Sequence, residues 1–250
     1  MLELDARKFL TSVHFLIDME LKTRHLQQYL SDAEKVEISK FADRMSLEFK
    51  SLGLGTTEKL CVNLFNSAKT QKQISENIRN VFNSMAIELD GKKFYAPYSN
   101  MEGYFQQHAL FGKDVFIAFP SAANDIYEAG CCLALDRQTA CVMHLMRVCE
   151  CGLKALAAKL RVADQNDWGA YLRKIDEALS SSIKTSGART DAEKFYSEAA
   201  ASFDFVRRAW RNPTLHVERT YSTERAEEIL QSVRSFMRHL ATMISENPSA

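Results

Sequence analysis

Apolar residues recur at helical spacing along most of this chain. Phe9, Val13, Leu16, Ile17 and Leu21 mark one amphipathic helix over 5–30. Ser31, followed by Asp32 and Glu34, is a suitable N-cap for a second helix reaching about Leu52. The stretch "SLGLGTT" breaks the pattern. It resumes after Thr56 or Thr57, with Leu60, Leu64, Ile74, Ile78, Phe82 and Met85 along one side of a third predicted helix. The period then changes. "MAIELDGKKFYAPY" alternates loosely about Asp90-Gly91, which predicts a small β-hairpin at about 85–97. Residues 98–118 look irregular, and "FGKDVFIAFPS" reads as a connector. A boundary near 112–120 is expected, dividing an N-terminal helical region, 1–115, from a second domain, 116–250.

The second domain reads as helices over 121–136, 138–162, 167–184, about 191–211 and about 223–245, the last capped by Ser222. "KTSGART" (184–190) is a loop, and Asn212-Pro213 should end the fourth helix, because proline disfavours helical geometry in the residue before it. Helix 138–162 is apolar on most sides, which predicts burial. Its one polar stripe holds His144, Arg147, Glu150, Cys151 and Lys154 within roughly a third of the circumference. Such a stripe either faces solvent or serves a site, since charge beside an apolar helix needs water, a partner or a ligand.

Composition agrees with helices: there are only 9 glycines and 4 prolines in 250 residues. With 46% hydrophobic and 26% charged residues the chain is globular rather than disordered. Thirty-two basic residues balance 32 acidic ones, so any nucleic-acid binding must come from a local patch. No apolar run approaches a membrane span, and "MLELDARKFL" has no signal-peptide core, so a cytoplasmic protein without membrane partners is expected. The six cysteines read as buried free thiols of a reducing compartment. Cys141, His144, Cys149 and Cys151 do not make one metal site, because Cys149 lies well round the helix from His144. No metal and no cofactor are expected.

One local patch exists. Residues 206–220 hold Arg207, Arg208, Arg211 and Arg219 against a single glutamate, with His216 among them. An arginine with a histidine after four to six intervening residues occurs four times: Arg7/His14, Arg137/His144, Arg211/His216 and Arg234/His239. Arg234 and His239 point apart on one helix, and Arg7 and His14 stand two turns apart, about 10 Å. Arg137/His144 is similar. Only Arg211/His216 straddles a predicted helix end, and only there does an amide, Asn212, follow the arginine. Arginine clamps phosphate oxygens and histidine moves protons near neutral pH. No cluster of aspartates marks a two-metal nuclease. A metal-free mechanism needs an internal nucleophile, which RNA supplies in its 2′-hydroxyl. The competing reading is a helix C-terminus whose arginines meet the dipole and whose histidine caps a loop.

"AWRNPTLHVERTYSTERAEEILQSVRSFMRHL" resembles the C-terminal half of a HEPN domain, and "DIYEAGCCLALDRQTACVMHLMRVCECGLKALA" resembles its first half. "FGKDVFIAFPSAANDIYEAG" is similar to bacterial proteins of the same group. The resemblance covers about residues 118–245. The family's mark is an arginine, a polar residue and then a histidine four to six residues after the arginine, which Arg211-Asn212-Pro213-Thr214-Leu215-His216 fits.

The resemblance implies a mainly α protein with a C-terminal HEPN-like up-and-down helical bundle, here beside the N-terminal helices and hairpin. It implies a homodimer whose two motifs form one composite site, and a metal-independent RNA endonuclease, often a toxin or anti-phage defence effector. His216 would carry acid–base chemistry, Arg211 would stabilise the pentacoordinate phosphate and Asn212 would support it. Glu150, Arg147 and His144 would form a supporting polar face. Arg207, Arg208 and Arg219 would bind RNA. The resemblance does not extend to residues 1–115, which could complete the bundle, build the dimer, choose substrate or receive a regulatory partner. The alternative is a non-catalytic helical module that binds RNA, nucleotide or a protein partner. A metalloenzyme using the cysteine-rich helix is a third reading.

Overall fold

The computed structural model describes residues 6–94, 96–186, 189–216 and 219–246, without the side chains of residues 6, 8 and 182–186. The protein is mainly helical and divides into two compact units, Met1–Phe94 and Tyr95–Ala250. The boundary therefore lies about twenty residues before the expected one. The cause is the irregular segment itself: Met101, Phe111 and Val115 insert into the core of the second unit.

The first unit holds α1 (Ala6–Thr23), α2 (Asp32–Ser51), α3 (Gly55–Ser67) and α4 (Gln71–Leu89). Ser31 and Glu34 form the capping box that starts α2. The single helix expected from Thr56 to Met85 is two. Thr70 caps α4: its hydroxyl accepts from Gln73 N at 3.3 Å while Gln73 Oε1 accepts from Thr70 N at 3.1 Å. Capping satisfies backbone donors that a continuous helix would have spent internally, and it fixes the break. Leu16, Phe41, Met45, Phe49, Ile74, Ile78 and Val81 fill the core.

The hairpin expected at 85–97 is not found among the described residues. Residues 85–89 continue α4, and Gly91, at φ +74°, turns the chain out of that helix. Asp90-Gly91 thus ends a helix instead of joining strands, because the 3.6-residue period of Ile74, Ile78 and Val81 keeps α4 seated on its neighbours. The Glu88 carboxylate, near the end of α4, accepts from Thr56 N at 3.1 Å and Thr57 N at 2.6 Å. It caps the first turn of α3 and favours its dipole.

The second unit packs α6 (Ala123–Ala134), α8 (Trp168–Ser186), α9 (Asp191–Val206) and α11 (Thr223–Leu240) around α7 (Gln138–Lys159), with the short α5 (Lys113–Ala118) alongside. Helix α7 buries eleven residues, among them Leu145, Val148, Cys149 and Leu153, as its apolar circumference requires. The segment around Tyr104 lies against α6 so closely that a Cβ on Gly130 would collide with the Tyr104 backbone carbonyl. Tyr104 OH in turn donates to Glu227 Oε1 on α11 at 2.5 Å. The Thr190–Glu193 capping box starts α9, and Ser222 caps α11 as expected. Helix α8 runs into the expected 184–190 loop as far as Ser186, and residues 187–188 lie outside the described ones.

Candidate functional site

Asn212-Pro213 does not stop the fourth helix. After α9 the chain makes one π turn over Arg207–Arg211, with Asn212 N donating to Arg207 O, and continues into α10 (Asn212–Leu215). Proline lacks the N–H that would bond four residues back, and its ring would meet that carbonyl. The extra residue of a π turn widens the helix and relieves both problems. Thr214 anchors the result. It is buried, donates to Trp210 O at 2.6 Å and shares a 2.7 Å hydrogen bond with Tyr221 OH. The widened turn and α10 therefore carry Arg211, Asn212 and His216 on one short helical stretch.

Arg211 sits half-buried with its guanidinium carbon 6.0 Å from the centre of the Trp168 ring. Its Nη1 donates to Asn212 Oδ1 at 3.3 Å. Trp168 also donates from Nε1 to Glu150 Oε2 at 3.2 Å. Glu150 pairs with Lys154 at 3.1 Å. Burial pushes the Glu150 carboxyl up, but the indole N–H, the Lys154 ammonium and then the Arg211 charge hold it below the usual carboxylate range. Helix α7, the start of α8, the π turn and the start of α10 thus supply Glu150, Trp168, Arg211 and Asn212 to one polar cluster. His216 ends α10, exposed, with its backbone N–H on Asn212 O at 3.1 Å.

The other expected site residues divide. His144 and Arg147 turn to a different partner: His144 Nδ1 and Arg147 Nε both lie 2.8 Å from Asp125 Oδ1. Burial pushes the Asp125 carboxyl up, and its hydrogen bonds to Arg147 and His144 more than offset this. The stripe on α7 therefore serves two neighbouring acids, Glu150 on its own helix and Asp125 on α6. Arg207 and Arg208 are both engaged by Asp204, at 2.7 and 2.8 Å. The local positive excess read from residues 206–220 is accordingly smaller, because Asp204 lies just before that window. Arg219 is exposed.

Trp168, Asp125 and Asp204 escaped the sequence reading. The clearest signal was Asp125, the acid that opens the otherwise apolar face of α6, which needs a partner for the same reason as the stripe on α7. The cysteines behave as expected: all six are free, four of them buried, and burial pushes the Cys141 thiol up to about 12. Among the described residues no helix is long and apolar enough to cross a membrane. Comparison with protein-family models, curated proteins and solved structures gives no match.

Proposed function

We propose that the protein is a metal-independent RNA endonuclease of the HEPN type, built on the Arg211-Asn212-x3-His216 segment. The observation that carries this reading is the π turn. It places a half-buried arginine, held near Trp168 and Asn212, five residues before an exposed histidine at the end of the same helical stretch. A guanidinium held in place before substrate arrives loses little freedom on clamping a phosphate, and it stabilises the charge that develops on the pentacoordinate phosphorus. In the reaction the RNA 2′-oxygen attacks phosphorus and the 5′-oxygen leaves. One histidine takes the 2′-hydroxyl proton and another protonates the leaving oxygen. Two copies of the chain would supply both histidines in one composite site. The products are a 2′,3′-cyclic phosphate and a 5′-hydroxyl. Glu150 positions Trp168, and through it Arg211. Action as a cytoplasmic toxin or anti-phage effector follows from the same reading.

The test is incubation of total RNA and of tRNA with the pure protein in EDTA, beside Arg211→Ala and His216→Ala. Wild-type cleavage leaving cyclic phosphate ends, lost in both variants while their thermal melts stay unchanged, is the expected result. Wild-type rates from either variant would overturn the assignment. RNA binding without cleavage, equal in wild type and His216→Ala, would make the protein a binding module.

A further inference from the structure

A second constellation lies across α6 and α7. Glu128 and Cys132 stand four residues apart on one face of α6, and His144 faces them from α7. All three are half-buried, and their donor atoms lie within 4.8 Å of one another. Asp125, one turn before Glu128 and buried, takes His144 Nδ1 at 2.8 Å. This fixes the imidazole tautomer and leaves Nε2 as the nitrogen with a lone pair to give.

From this geometry we propose a divalent zinc site whose ligands are Glu128, Cys132 and His144, with Asp125 as the positioning residue behind the histidine. The donor set carries the choice of metal. Thiolate, imidazole and carboxylate together suit zinc, whereas magnesium and calcium take oxygen ligands. A carboxylate on the far nitrogen of a ligating histidine is the usual outer partner at such sites. Tetrahedral bonds of 2.0–2.3 Å separate ligand atoms by roughly 3.5 Å. Binding the ion requires the three donor atoms, now within 4.8 Å of one another, to draw together to that separation. Cys132 gives its proton to solvent as the sulfur–zinc bond forms. Three protein ligands leave the fourth position to water.

The same residues also form a Cys–His–Asp series, as in a thiol nucleophile. The surroundings oppose that use. The Glu128 carboxylate stands within 4.8 Å of the Cys132 sulfur, where an activated thiolate nucleophile needs a positive charge instead. A cation between Glu128 and Cys132 removes the conflict by neutralising both. The site uses none of Arg211, Asn212 and His216, so it stands independently of the ribonuclease reading.

Cobalt(II) titration of the full-length, metal-free protein tests the proposal. Thiolate-to-cobalt absorption should saturate at one equivalent per chain, and added zinc should abolish it. Cys132→Ser should lose the band. Glu128→Gln should weaken zinc binding, and Asp125→Asn should weaken it by about 10–100-fold. Arg211→Ala should bind as wild type does. Absence of the band, or a full band in Cys132→Ser, would overturn the site. Rapid alkylation of Cys132 at neutral pH that zinc does not slow would overturn it in favour of a thiol nucleophile. Thermal melts of the free variants, matching wild type, separate lost ligands from lost fold.

Discussion

Gly130 offers a substitution whose sign the structure decides against helix propensity. It lies inside α6, where replacing glycine by alanine ordinarily stabilises a helix by about 0.8–1.0 kcal/mol. Here the added methyl would collide with Tyr104 O and reach Leu110 Cδ2 at 2.9 Å. Leu110 can turn aside. Tyr104 O is backbone and cannot move alone, because the same residue donates to Glu227 and accepts from Gln231 Nε2 at 3.0 Å. Overpacking costs about 1–3 kcal/mol, and a collision with backbone that is tied by hydrogen bonds falls in the upper part of that range, about 2–3 kcal/mol. Gly130→Ala should therefore destabilise the second unit by about 1–2 kcal/mol net, a fall of roughly 2–8 °C in melting temperature for a unit of this size. Gly103 is the internal control. It precedes Tyr104 in the same short segment, and nothing lies within 4 Å of its Cβ position. Gly103→Ala should be neutral or stabilise by up to about 1 kcal/mol through the unfolded state. Thermal and urea melts of both variants decide the matter. A Gly130→Ala protein as stable as wild type would refute the close seating of the Tyr104 segment on α6.

Glu88 should make the first unit acid-sensitive. Burial pushes its carboxyl up, but the Thr57 and Thr56 donors pull it further down, to about 2, so its contribution is complete above the ordinary value of 4.5 and fades as pH falls toward 2. Urea melts across that window should show Glu88→Gln losing less stability on acidification than wild type, and an identical pH slope would contradict the cap. Phe203→Ala should cost about 3–5 kcal/mol, because Phe203 is fully buried between Trp168 and Phe236, with ring centres at 6.2 and 4.8 Å. A melt shifted by less than a degree would contradict that packing. Asp204→Ala releases Arg207 and Arg208 from their shared carboxylate. If the segment binds RNA, affinity should rise, and the plot of log affinity against log salt should steepen by up to about 1.4, from two added single-strand phosphate contacts. An unchanged slope measured by fluorescence anisotropy would remove both arginines from the interface.

Local rules located most helices, and each failure has a physical cause. Ser31 and Ser222 were legible as caps because a cap needs only its own side chain and the next turn. Thr70 is as good a cap by chemistry. It was hidden because Leu64 and Ile74 stay in helical phase across the break, so periodicity alone joined α3 to α4. Asp90-Gly91 failed in the opposite direction: one dipeptide serves hairpins and helix ends alike, and only the packing of α4 distinguishes them. The site follows the same division. Arg211 and Asn212 stand together in sequence and their side chains meet in space, while His216 joins them only through its backbone N–H on Asn212 O. Trp168 and Asp125 are contributed by other helices, 43 and 86 positions before Arg211, and no local spacing connects them.

Pro213 unites the two halves of that account. Read locally, it ends a helix. In the structure its missing N–H is absorbed by the π turn, and the chain gains one residue of rotation. That added residue changes which side chains of the segment face α7 and α8. It places Arg211 over Trp168 and keeps Thr214 inward against Tyr221. In an unbroken α-helix without the extra residue, every later side chain would sit about 100° away from its present direction. Thr214 and Arg211 could not then both keep these partners. The proline that appears to terminate the helix is thus what sets the geometry of the arginine–histidine segment.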